Sequence, residues 1–143
     1  MVNDVISDPR TVANQLRPVL LRLTRQLRKE TESLGVTSRQ VPLLWLIHQN
    51  PGLSLRELAE SEQISAPALS GHVDRLEKAG LIERVRSDTD RRRVGLALTC
   101  EGEKLVRSVR ARRTSWLAER LDGLDPDELE AVEAAIEPLE RLL

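Results

Sequence analysis

At 143 residues the chain has the length of one domain, or of one domain plus an oligomerisation arm. Its 40% hydrophobic and 31% charged residues suit a soluble, helix-rich protein, and charges interrupt every apolar run well short of the ~18 residues of a membrane span. The net charge of −1 speaks against a nucleic-acid binder, and the single cysteine, Cys100, excludes a disulfide framework or a cysteine-rich zinc site.

The distribution of charge outweighs its total. Residues 122–143 hold eight acids against Arg141, which leaves +6 on residues 1–121. Arg84, Arg86, Arg91, Arg92 and Arg93 fall within ten positions, opposed by Asp88 and Asp90. Screening limits a charge's reach to about 8–10 Å, so a nucleic-acid partner would feel this local excess and not the sum. The acidic tail is expected away from any DNA-facing surface. Met1-Val2-Asn3-Asp4 lacks the basic start and apolar block of a secretory signal, so a cytoplasmic location is the expectation.

In chain order, Asp8-Pro9 predicts a helix start, with Asp8 as cap and proline in the first position. Leu16, Val19, Leu20, Leu23 and Leu27 recur at helical spacing up to Leu34-Gly35, and Pro18 predicts a kink or a late start. Thr37 to Gln40 has capping-box spacing. Val41 to Ile47 is apolar all round, which predicts a buried helix, with Pro42 placed awkwardly near its start. Ser54-Leu55-Arg56-Glu57 opens a short helix through Glu62, and Gln63-Ile64 makes a turn. Ser65 then caps a helix with Pro67 in its first turn, a buried stripe of Leu69, Val73 and Leu76, and Ala79-Gly80 at its end. Leu81 to Arg86 and Val94 to Leu98 alternate like strands around polar turn residues, which predicts a two-stranded hairpin. Thr99 caps a helix reaching about Leu121. Asp125-Pro126-Asp127-Glu128 starts the last one, in which Pro138 is unusual and leaves the geometry of the final turn open.

The middle of the chain predicts a winged helix-turn-helix. Projected at 100° per residue, the helix after Ser65 is apolar on one side; opposite lie Pro67, Ser70, Gly71, Asp74, Arg75 and Lys78. Ser65, Ala66, Pro67, Ser70, Gly71, His72 and Arg75 are the candidate major-groove contacts, with His72 leaning toward the core edge. At the hairpin tip, Asp90, Arg91, Arg92 and Arg93 are the candidate minor-groove element, with Asp90 expected to hold Arg92 extended through a charge-assisted pair. The flanking helices have apolar faces larger than this middle needs, which predicts a homodimer whose two reading helices lie ~34 Å apart on double-stranded DNA. The expected fold class is mainly α with a small β-hairpin wing and N- and C-terminal dimerisation helices. In one domain, residues 37–99 form the DNA-binding part and residues 8–34 and 100–143 the dimerisation helices.

The runs Leu55 to Ala59, Ile64-Ser65, Val73 to Arg84, Asp88 to Arg93 and Leu98 to Gly102 together resemble the core of the MarR family of winged-helix transcription regulators. The resemblance implies dimerisation through the terminal helices, a reading helix in the major groove, and Arg92 in the minor groove braced by Asp90. It also implies an inverted-repeat operator and repression, relieved in many members by a small, often phenolic effector. Trp45 and His48 share a helix face that could line such an effector cleft, although an aromatic beside an apolar stripe is ordinarily core. The chain departs from the family pattern at Gly71, where members often carry a basic residue. Some relatives sense oxidants through a cysteine in the first helix; Cys100 lies elsewhere and reads as inert.

No nucleophile–base constellation or glycine-rich phosphate loop points to an enzyme. Two distant histidines and one cysteine make no metal set, and no cofactor is implied. The competing expectation is a dimeric ligand-binding or protein-interaction module that kept the fold and lost specific DNA reading, motivated by Gly71 and the near-neutral total charge.

Overall fold

The computed structural model describes residues 7–37, 39–86, 90 and 92–143. Contacts divide the chain into two units. One is Thr31–Arg112; the other joins the described part of Met1–Glu30 to Arg113–Leu143.

Within the Thr31–Arg112 unit, Thr37 and Gln40 make the expected capping box: Gln40 N–H donates to Thr37 Oγ1 at 3.3 Å and Thr37 N–H to Gln40 Oε1 at 3.0 Å. Helix α2 (Gln40–Gln49) follows. Pro42 is its third residue, where a missing N–H leaves no intrahelical bond unmade, so the helix begins before the proline. The expectation of a fully buried helix needs correction. Leu43, Leu44 and Ile47 are buried, but Trp45 is 37% exposed.

Strand β1 (Leu53–Ser54) comes next, then α3 (Leu55–Glu62), α4 (Ala66–Lys78), β2 (Ile82–Arg86) and β3 (Val94–Leu98). The expected two-stranded hairpin is a three-stranded antiparallel sheet in the order β1-β3-β2. Leu53 pairs with Leu96 and Ser54 with Gly95, while Ile82 to Arg86 pair with Leu98 to Val94. β1 is two residues long and carries no periodicity to read. Its junction with β3 depends on Gly95: a Cβ there would sit 2.6 Å from the Gly52 Cα and carbonyl carbon. The strand expected from Leu81 starts at Ile82. Leu81 instead completes the end of α4, donating its N–H to Leu76 O at 3.0 Å past Gly80 at φ +75°.

The core of this unit gathers Leu43, Leu44 and Ile47 from α2, Leu58 from α3, and Leu69, Val73 and Leu76 from α4. Val36, Ala59, Ile82, Leu96, Val106 and Val109 complete it. Leu58, Leu69 and Val73 are 0% exposed, and burying each such side chain contributes about 1.5–3 kcal/mol. Helix α5 (Cys100–Asp122) enters the core by its first half, with Gly102 N–H donating to Thr99 Oγ1 at 3.1 Å as the sequence predicts.

The other unit contains α1 (Pro9–Glu30), the second half of α5, and α6 (Pro126–Glu140). Asp8 caps α1 by accepting the Thr11 N–H and hydroxyl. α1 runs unbroken through Pro18, so the late start is corrected; it ends at Glu30, before a single 3-10 turn at Glu32–Leu34. Asp125 and Glu128 form the full reciprocal capping box of α6, which continues past Pro138. Neither α1 nor α6 contains a buried residue, and Val19, Leu20, Leu21, Leu129, Val132 and Ile136 are all exposed. Contiguous apolar surface of this kind marks an interaction face.

Candidate nucleic-acid interface

The geometry of the Thr31–Arg112 unit follows from its caps. Ser54 Oγ accepts the Glu57 N–H at 3.2 Å and starts α3. Gln63 then takes the left-handed conformation at φ 53°, reversing the chain, and Ser65 Oγ accepts the Ala68 N–H to begin α4. With Leu69, Val73 and Leu76 fixed in the core, helical geometry turns the opposite side outward. Ser65, Ala66, Pro67, Asp74, Arg75 and Lys78 are exposed, and Ser70, Gly71 and His72 are half-buried. The predicted groove-facing residues therefore share a surface. His72 stands at its margin, with Nδ1 buried and without a hydrogen-bond partner among the described residues.

The β2–β3 hairpin is fastened to this surface by ion pairs that the sequence pattern does not reveal. Arg84 on β2 reaches Glu77 Oε2 with Nε at 3.0 Å and Asp74 Oδ1 with Nη2 at 3.4 Å. One guanidinium thus answers both carboxylates on the outer side of α4. Arg93 pairs with Glu57 of α3, whose carboxylate also accepts the Ser54 hydroxyl. Arg93, expected at the free tip, stays at the tip end of the hairpin beside the Arg86–Val94 pair but is tied back to α3. Asp90 Oδ1 accepts the backbone N–H of Arg92 at 3.0 Å, and its carbonyl accepts the Arg93 N–H. This bond to the main chain is the common turn-forming behaviour of an aspartate two residues back. Arg92 itself is exposed. Arg91 lies outside the described residues, as do Ser87, Asp88 and Thr89 of the predicted turn.

Trp45 and His48 are brought together on α2, with ring centroids 5.4 Å apart. Arg110 of α5 lies 5.9 Å over the Trp45 ring, and His48 Nδ1 is 2.8 Å from Glu103 Oε2. An open groove of about 640 Å³ between α3 and the start of α4 is lined by Leu55, Ala59, Ile64 and Ala66, and includes neither Trp45 nor His48.

The family model of the MarR family matches residues 36–94, the stretch that carries this surface. An HTH-type transcriptional regulator of Mycobacterium bovis is 30% identical over 129 residues, 90% of this chain and 90% of its own. The chain belongs to the MarR family. The HTH-type transcriptional regulator FarR of Neisseria gonorrhoeae is 39% identical over 87 residues, which span 61% of this chain and 60% of FarR. A point mutant of MepR from Staphylococcus aureus, solved bound to an oligodeoxyribonucleotide, superposes with a TM-score of 0.71 at 25% identity, covering 92% of this chain and 98% of MepR. This MarR-family chain is thus a transcriptional regulator by its relatives, with a mainly helical winged-helix fold. Glu57 and Arg84 are its structurally important charges that sequence reasoning missed. Glu57 was legible as a capping residue alone, and Arg84 as one member of an alternating strand.

Proposed function

We propose that this protein is a homodimeric repressor that binds an inverted-repeat operator in double-stranded DNA and is released by a small-molecule effector. Within one MarR-like domain, residues 37–99 read DNA, and residues 8–34 and 100–143 dimerise. α4 enters the major groove with Ser65, Ala66, Pro67, Ser70, Gly71, His72 and Arg75 toward the bases. Asp90, Arg91, Arg92 and Arg93 form the wing element, in which Arg92 enters the minor groove and Arg93 ties the hairpin to α3 through Glu57. Trp45 and His48 are the effector contacts, and the site of action is the cytoplasm.

The observation that carries this reading is the exposed, one-sided outer face of α4 fastened by Arg84 to a hairpin that presents Arg92. A guanidinium so placed gains from the negative potential of a narrow minor groove. Dimerisation is supported by the exposed stripes of α1 and α6, and DNA binding by the oligonucleotide-bound MepR relative. Repression is supported by a 30% identical relative, the transcriptional repressor MdtR of Bacillus subtilis. The test is genome-wide recovery of bound fragments followed by footprinting. The expected result is a pseudo-palindrome with half-site centres about 10–10.5 bp apart. Binding without sequence preference would favour the interaction-module alternative and overturn the proposal.

A further inference from the structure

Gly71 breaks the run of side chains on the outer face of α4, and the space it leaves is shared with one neighbour. A Cβ built at Gly71 would meet Arg75 Nη2 at 3.9 Å and no other atom within 4 Å. Helical side chains lean toward the N-terminus, so a long residue covers the spot one turn before its own Cα. Arg75 does so here, with its guanidinium lying above residue 71. Arg75 has no ion-pair partner among the described residues, because the neighbouring carboxylates of Asp74 and Glu77 are held by Arg84.

Resting on the proposed DNA reading, we infer that Arg75, laid over Gly71, is the base-reading cation of this helix and recognises guanine through O6 and N7 in the major groove. The planar fork of a guanidinium matches those two acceptors, whereas a lysine offers a point charge. Gly71 is then not a lost contact but the room that lets Arg75 lie near the centre of the reading face. A basic side chain at 71 would compete with Arg75 for that position and repel it. Glycine also keeps the surface low, so the helix axis approaches the groove floor closely enough for the Arg75 head to reach base edges.

The test selects bound sequences from random duplexes of about three helical turns, using the full-length wild type, Arg75→Ala, Arg75→Lys, Gly71→Leu and Gly71→Ala. Thermal melting of each variant serves as the fold control. The wild type is expected to select a guanine at one fixed position in each half-site. Arg75→Ala should lose that preference, weakening binding to the selected duplex by about 5- to 140-fold per half-site, while the other positions stay recognisable. Arg75→Lys should restore overall affinity more than guanine preference. Gly71→Leu should lose the same guanine with its melting temperature kept, because its side chain displaces only Arg75. Gly71→Ala, whose added carbon makes an ordinary van der Waals contact with Arg75, should weaken that preference less than Gly71→Leu does. Replacing that guanine by 7-deazaguanine should weaken the wild type and leave Arg75→Ala unaffected. An unchanged Arg75→Ala consensus, or no effect of 7-deazaguanine on the wild type, would overturn the inference and leave DNA reading intact. A wild type that selects no consensus would overturn both.

Discussion

Arg92 and Arg93 are adjacent, equally charged, and predicted to behave oppositely. Arg93 is neutralised by Glu57, whereas Arg92 is exposed and its described bond is through its backbone N–H to Asp90. Each phosphate neutralised by a cation contributes about 0.9 to the slope of log K against log salt. Arg92→Ala removes one such cation from each subunit, so the slope of the dimer should fall by about 1.8. Between 50 and 200 mM salt that difference amounts to about a 12-fold smaller loss of affinity for the variant than for the wild type. Arg93→Ala removes a cation already paired, so its slope should change by far less, although affinity falls as the hairpin loses its tie to α3. Fluorescence anisotropy on a labelled operator duplex at several salt concentrations measures both. Equal slope changes for the two variants would refute the assignment of one arginine to DNA and the other to the protein. Restoration of Arg93→Ala affinity by Glu57→Gln would refute the view that their pairing positions the wing.

Other consequences are open to measurement. Leu69→Ala removes a side chain at the centre of the Thr31–Arg112 core and should cost about 2–5 kcal/mol in urea unfolding. Ile136→Glu places a charge in the exposed stripe of α6 and should shift sedimentation from dimer to monomer without changing helical content. Asp8 and Asp125 have carboxyl pKa values lowered below the ordinary 3.8, Asp8 first by the Thr11 side chain and Asp125 first by the Glu128 backbone N–H. Depressed folded-state values mean that these caps stabilise fully above pH ~4 and lose that contribution as pH falls through the lowered values. An Asp8→Asn, Asp125→Asn double variant should therefore show a shallower acid loss of helical circular dichroism than the wild type.

Elements whose local chemistry agrees with their packing were legible in the sequence. Ser54, Ser65, Thr99 and Asp125 each occupy a helix start because an uncapped N-terminus leaves donors unmade, and that need is written in single residues. The one-sided stripe of Leu69, Val73 and Leu76 likewise fixed which side of α4 faces out. What escaped was long-range. β1 has two residues and acquires strand geometry from β3, not from its own pattern. Arg93 and Glu57 stand 36 positions apart, and a run of three arginines gives no sign that one will turn back. The exposure of Trp45 was hidden for a related reason: an all-apolar helix looks buried until the elements around it are known. Pro18 shows the opposite error, since a helix with enough flanking turns absorbs a proline that would stop a shorter one.

The two-pronged grip of Arg84 imposes a rule on descent as well as on shape. If the guanidinium is lost, two carboxylates on the helix proposed to face DNA are left to confront a polyanion, so a neutral residue at 84 is tolerable only where 74 and 77 have also shed their acids. Drift at these three positions must occur in concert, and a lineage that changes one alone should bear the cost in binding before it bears it in folding.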